Sequence, residues 1–182
     1  MKILRTVTDK DFGLEIQASE IIYEERLSVR AVIFNKEGQI AVLHSRGRNY
    51  HALPGGGVND KEEIIDALKR EVLEEVGCKI KNIKELGIVE EYRNKISRHQ
   101  LNHYYMADLD GEMGTPQFEE DELEDNFETL FLDLDTATQI IKNELNDGVD
   151  YNRNFGITRH TTALEEVKKI LVNSLTETRL IG

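Results

Sequence analysis

Residues 56–78 read GGVNDKEEIIDALKREVLEEVGC, and the spacing within this stretch decides how the rest of the chain is read. At about 100° per residue, with Ile64 at zero, Leu68 falls at about 40°, Val72 at about 80°, Ile65 at about 100° and Val76 at about 120°. These five residues make one buried stripe of a helix. On the same count Glu71 falls at about 340°, Glu75 at about 20° and Glu74 at about 280°, so three carboxylates lie beside the stripe and not on the solvated side. Carboxylates at the edge of a buried face repel one another and lose hydration, so they require a cation or strong donors. Ala67, at about 300°, leaves room between them. Asn59 or Asp60 can cap the helix and Gly77 suits a left-handed end, which predicts a helix over about 60–76. Taken alone, REVLEEVG also fits an ordinary acidic surface helix with an Arg70–Glu74 pair. The preceding LPGGGV favours a site instead, because Gly55, Gly56 and Gly57 let backbone amides approach a phosphate at the start of the helix.

Gly56, Glu62, Arg70, Glu71, Glu74, Glu75 and Gly77 stand at the spacing G-x5-E-x7-R-E-U-x-E-E-x-G-U, with U apolar. Seven such matches arise by chance about once in 10^8 trials, so coincidence is a poor account of them. The pattern resembles the Nudix box. The resemblance implies an α/β fold, an α/β/α sandwich with a mixed β-sheet. It also implies hydrolysis of a nucleoside diphosphate linked to another moiety, by attack of water on phosphorus. By the same resemblance Glu71, Glu74 and Glu75 match metal ligands, joined by the carbonyl of Gly56 or its neighbour. Arg70 and Glu62 match the pair that braces the loop and orients the carboxylates. The implied cofactor is Mg2+, with Mn2+ as the alternative. The general base is a box glutamate, Glu71 or Glu74, in some members and a downstream loop residue in others. Here the acidic run EEDELEDNFE makes Glu122 and Glu124 the loop candidates, although a solvated charge run is an equal reading of any one of them.

The chain has 182 residues and a net charge of −12, with 35 acidic and 23 basic side chains. This size and composition predict one domain over 1–182, with an N-terminal strand or extension at 1–27. The acidity opposes unassisted binding to nucleic acid or anionic lipid, so the expected partner is a small nucleotide brought in with a divalent cation. A homodimer remains open. No apolar stretch near the N-terminus has signal-peptide length, and no run reaches the roughly 18 apolar residues of a membrane helix. A cytoplasmic location is the expectation. Cys78, the only cysteine, reads as a small core residue at the apolar position that closes the box, which argues against an isomerase that needs a catalytic cysteine.

Around the box, 28–34 and 40–45 are β-branched runs separated by NKEGQ and predict a β-hairpin. The polar loop 46–50, with Arg46 and Arg48, is either a substrate contact or a solvated loop. Further strands are expected over 83–92, 101–109 and 130–134. A helix over 136–145 should bury Ala137, Ile140, Ile141 and Leu145, and a last helix over 161–175 should dock through Leu164, Val167, Ile170, Leu171 and Leu175.

Substrate identity lies outside the box. This chain has only Pro54 and Pro116, which weakens ADP-ribose, and Tyr92 stands slightly early for a dinucleoside polyphosphate hydrolase. Tyr92, Tyr104, Tyr105, His44 and Phe127 are the available stacking side chains, although each is more often a sheet-face packing residue. Elimination favours a canonical or oxidised nucleoside triphosphate. The alternatives are ADP-ribose, a dinucleoside polyphosphate, or a module that senses nucleotides without cleaving them.

Overall fold

The structure is a computed structural model and describes residues 1–14, 20–118, 123–145 and 150–181, the last helix in backbone only at 175 and 177–181. Among the described residues, seven strands run in the order β1 (Ile3–Thr8), β2 (Glu24–Phe34), β3 (Ile40–Ser45), β4 (Tyr50–Ala52), β5 (Lys79–Arg93), β6 (Arg98–Asp110) and β7 (Phe127–Leu132). Three helices accompany them: α1 (Ile64–Val76) between β4 and β5, then α2 (Leu134–Asn143) and α3 (Tyr151–Ile181) after β7. The strands form one sheet in the order β1-β5-β6-β2-β3-β4, with β7 also on β3. Pairing is parallel for β1 with β5 and β2 with β6, and antiparallel elsewhere, so the sheet is mixed as expected.

Side chains alternate across a pleated strand, and the two cores follow that alternation. Val29, Ala31, Ile33 and Ala41 face one side, where they bury Ala67, Leu68, Val72, Val76 and Cys78. Val32, Ile40, Val42 and Tyr104 face the other, with Ala137 and Ile141 of α2 and Phe155, Ile157, Leu164 and Val167 of α3. Helices thus cover both faces of the sheet, giving the α/β/α sandwich. Each fully buried Leu or Val of α1 contributes about 1.5–3 kcal/mol of burial, which fixes which face of the helix turns inward.

The predicted hairpin is present, its strands antiparallel about the 35–39 turn, but it is short. β2 and β3 share only the pair Phe34 and Ile40 before they part. Into the gap runs the glycine loop: Val29 N–H donates to Gly56 O at 2.9 Å, Ala31 N–H to Pro54 O at 3.0 Å, and Val58 N–H to Leu27 O at 3.2 Å. The loop therefore takes hydrogen bonds that a simple hairpin would have given to β3. Such an approach needs glycine at Gly55, whose φ is +128° and whose Cβ would fall within 3 Å of Val29 O and Arg30 Cα.

Other expectations shift in extent. α1 begins at Ile64 with Glu63 as its N-cap, not at 60, because Asn59 and Glu62 form a separate turn in which Glu62 N–H donates to Asn59 O. Ala67 is fully buried against the sheet, so its small size serves helix packing and not space for a ligand. The last helix starts ten residues earlier than predicted and docks through Leu164 and Val167, whereas Ile170 and Leu171 are exposed. Leu175's side chain lies outside the described residues. Leu145 falls beyond the end of α2 and is also exposed.

Candidate active site

At its C-terminal end α1 is sealed by neighbours. Gly77 adopts φ 72° and its carbonyl accepts from Gly114 N–H at 2.8 Å, while Thr129 Oγ1 donates to Glu75 O at 2.8 Å. Glu75 is buried, and its Oε2 accepts from Gly55 N–H at 2.6 Å. Glu71 presses on the same loop, and a Cβ on Gly56 would lie 2.5 Å from Glu71 Oε2. Helix and loop thus meet through two carboxylates and two glycines.

Arg70 ties the rest together. Its Nε and Nη2 donate to the two oxygens of Glu62 at 2.9 and 3.0 Å, and Nη2 also reaches Gly57 O at 3.0 Å. Its Nη1 donates to Glu71 at 2.8 Å and Glu74 at 3.1 Å. Arg70 and the Asn59 amide hold the Glu62 carboxyl down at about 2. Burial pushes Glu71 above the ordinary carboxylate range, with Arg70 opposing and Glu74 adding to the rise.

These groups form one wall of a cleft of about 500 Å3, lined by Gly55, Gly56, Gly57, Glu71, Glu74 and Glu75. The same cleft is lined by Arg26, Arg30, Arg48, Arg159 and His160, with Tyr50 and Phe127 as aromatic lining. Arg30 donates to the carbonyls of Leu53 and Gly55, which fixes its guanidinium beside the loop. His160 is fully buried, its Nδ1 paired with the Tyr104 hydroxyl at 3.0 Å and its Nε2 without a partner. Burial and the nearby arginines keep its pKa well below the ordinary value, so the ring is neutral. Carboxylates and guanidinium groups thus line one cleft in a chain of strongly negative net charge.

The sequence-derived candidates Gly55, Gly56, Gly57, Glu62, Arg70, Glu71, Glu74 and Glu75 are brought together. Glu124 is exposed and does not line the cleft, and Glu122 lies outside the described residues. Of the stacking candidates only Phe127 reaches the cleft; Tyr104 and Tyr105 are buried in the two cores, and Tyr92 stacks on His99 at 4.4 Å. Arg26, Arg30, Arg159, His160 and Tyr50 were missed. A signal existed for Arg30, a lone charge inside the apolar run SVRAVIF. Cys78 is a core residue, and burial raises its thiol to about 11.

The acidic run has a definite structural use. Glu128 binds Arg46 through both oxygens, at 2.7 and 2.5 Å, and His44 at 3.0 Å, while Asp125 pairs with Arg48 at 2.7 Å. Arg46 and then His44 hold Glu128 down at about 2. A carboxylate with a lowered pKa favours the folded state above its unfolded value, and that contribution fades as pH falls toward 2. In an NMR titration of Arg46→Ala the Glu128 carboxyl should return toward the ordinary range of about 4; an unmoved titration would show that Arg46 does not hold it.

Among the described residues no group of three or more His, Cys, Asp or Glu side chains converges into a preformed cation cage. Glu71 and Glu74 turn to Arg70, and Glu75 to the Gly55 amide. The donor types nonetheless fit a hard divalent cation, since the wall offers carboxylate and carbonyl oxygens only. Gly56 fits as well, because any side chain there would fill the space at Glu71's carboxylate. No described helix is long and apolar enough to cross a membrane.

Comparison with known proteins places this architecture. A family model for the NUDIX domain matches residues 24–149. The RNA pyrophosphohydrolase of Pasteurella multocida is 37% identical over 79 residues, 43% of this chain and 40% of that protein. That of Bartonella henselae is 40% identical over 70 residues, 33% of this chain and 40% of its own length. The chain thus spans about two fifths of these relatives. Among solved structures, the MutT NUDIX hydrolase from Burkholderia pseudomallei superposes with a TM-score of 0.53 at 22% identity, covering 79% of this chain and 98% of that one. The MutT protein from Bacillus halodurans gives 0.51 at 22% identity over 63% and 72%. At that identity the likeness concerns the fold. The family match is the broader finding, because it runs from the first residue of β2 through the glycine loop and α1 to beyond α2, and by it the chain belongs to the NUDIX family.

Proposed function

We propose that the cleft hydrolyses a phosphoanhydride bond in a nucleoside diphosphate derivative, with Mg2+ as the working cation and Mn2+ as its substitute. One observation carries this reading: the box carboxylates, the glycine loop and four arginines line one cleft. Glu71, Glu74 and Glu75, with the Gly56 carbonyl, would hold the cation. When bound, it neutralises the diphosphate and lowers the pKa of the attacking water. Arg26 and Arg30, beside the glycine loop, would meet phosphate oxygens, as guanidinium forks do well. Arg70 and Glu62 would act as positioning residues, and Glu71 or Glu74 is the proposed proton acceptor. Phe127 and Tyr50 would take the base. Residues 1–182 are proposed to work as one domain.

The preferred substrate is a nucleoside triphosphate, canonical or oxidised. A second reading, the 5′-triphosphate end of an RNA, is favoured by the name of the curated relatives. A panel of nucleoside triphosphates, ADP-ribose, a dinucleoside polyphosphate and a 5′-triphosphorylated oligonucleotide separates these readings when products are analysed. Turnover should require the divalent cation, stop with EDTA and resume when Mg2+ is restored. No turnover of any member with Mg2+ or Mn2+ would favour a module that binds without cleaving.

A further inference from the structure

Beside the cleft lies a second cavity of about 390 Å3, lined by Arg48, Arg93, Arg153, Arg159, Tyr50 and Asn152, with Asp150 exposed at its rim. Arg48, Tyr50 and Arg159 line both cavities, so the two spaces are contiguous. At its floor one carboxylate serves two guanidinium groups. Glu91 is fully buried and binds Arg93 through Nε at 2.8 Å and Nη2 at 2.5 Å, while Arg159 reaches it only at 3.3 and 3.4 Å. Both arginines are buried, at 5% and 8% exposure. One positive charge is therefore left over in a desolvated place, which is costly without an anion.

The donors are also held ready. Arg93 lies over the Phe155 ring at 5.0 Å and donates to Asn152 Oδ1 at 3.3 Å. Arg153 lies over Tyr50 at 5.6 Å and donates to Asn49 O at 2.7 Å. The buried Nε atoms of Arg153 and Arg159 have no partner. Among the described residues, the other nearby carboxylates already have partners: Asp125 binds Arg48 at 2.7 Å, Glu144 binds His51 at 2.6 Å and lies 3.7 Å from Arg153, and Asp150 accepts the Arg153 backbone N–H at 3.0 Å. Gly156 on α3 permits the arrangement, since a Cβ there would lie 2.9 Å from the Tyr50 hydroxyl.

We propose that this cavity is an anion subsite that takes a phosphate group carried on the far moiety of the substrate, beyond the bond cleaved at the box. Several rigid guanidinium forks around one space suit a tetrahedral dianion better than a planar carboxylate. Assigning the occupant to the substrate rests on the hydrolase reading; the anion site does not. The test is run on the full chain in EDTA, so that no cation at the box can hold phosphate. Inorganic phosphate titrated by calorimetry should bind saturably to one site, and Arg153→Ala should weaken it at least about tenfold. In the unsubstituted protein the Nε–H resonances of Arg93, Arg153 and Arg159 should shift with the same titration, which needs no variant to fold. Acetate should bind far more weakly. The proposal is overturned by absence of saturable binding, by acetate binding as well as phosphate, or by arginine resonances that do not move. Since no turnover is read, a failed hydrolase panel and a failed phosphate titration are separate results. If both succeed, removing the far-end phosphate from a cleaved substrate should raise its KM by about tenfold and leave kcat nearly unchanged, as lost uniform binding does.

Discussion

Glu75→Gln is expected to lower turnover of any accepted nucleotide by at least about 100-fold while the protein stays folded. The amide oxygen of glutamine can still accept from Gly55 N–H, the 2.6 Å bond that joins helix to loop. Packing around the side chain is nearly isosteric, so the expected loss of stability is about 1 kcal/mol. What disappears is the negative charge, and with it one oxygen donor for a divalent cation. Turnover and thermal melting, measured together, decide the matter. Full activity in a folded Glu75→Gln protein would refute Glu75 as a ligand, and a collapse of the melting temperature would mean that its buried charge is structural.

The second large effect is on stability. Gly55→Ala should cost roughly 3–5 kcal/mol, because φ +128° is nearly closed to residues with a Cβ and the added carbon would strike the backbone of Val29 and Arg30. For a chain of this size that corresponds to a melting temperature lower by about 10 °C. The loop would have to lift from β2, and the Gly55 amide would leave Glu75. A variant that melts within about 2 °C of the parent would show that the loop can shift at little cost.

How much of this was legible in the sequence follows the range of the forces involved. The stripe of Leu68, Val72 and Val76, the left-handed Gly77 and the buried Cys78 depend on spacing within one helix, and periodicity reveals them. Glu71, Glu74 and Glu75 stand beside that stripe for the same local reason. The hairpin was legible because neighbouring β-branched runs favour pairing, but its early parting was not, since nothing local says that a glycine loop will enter between the strands. Arg26, Arg30, Arg159 and His160 converge only because β2 pairs with β6 along eleven residues and α3 packs on the sheet. No spacing rule connects Arg30 to Arg159. The acidic run was visible, but its use by Arg46 and Arg48 depends on β7 lying beside β3.

The parallel pairings set an order of events. Ile3 aligns with Ile88 and Glu24 with Arg98, so each junction closes a loop of more than seventy residues. Loop closure of that length is slow compared with forming a helix. As synthesis proceeds from the N-terminus, α1 and its glutamates exist long before β6 arrives to flank β2. Arg159 and His160 come later still, with α3. Competence for chemistry is therefore among the last properties a new molecule acquires, and a half-made chain carries the box without the cleft that would give it a substrate.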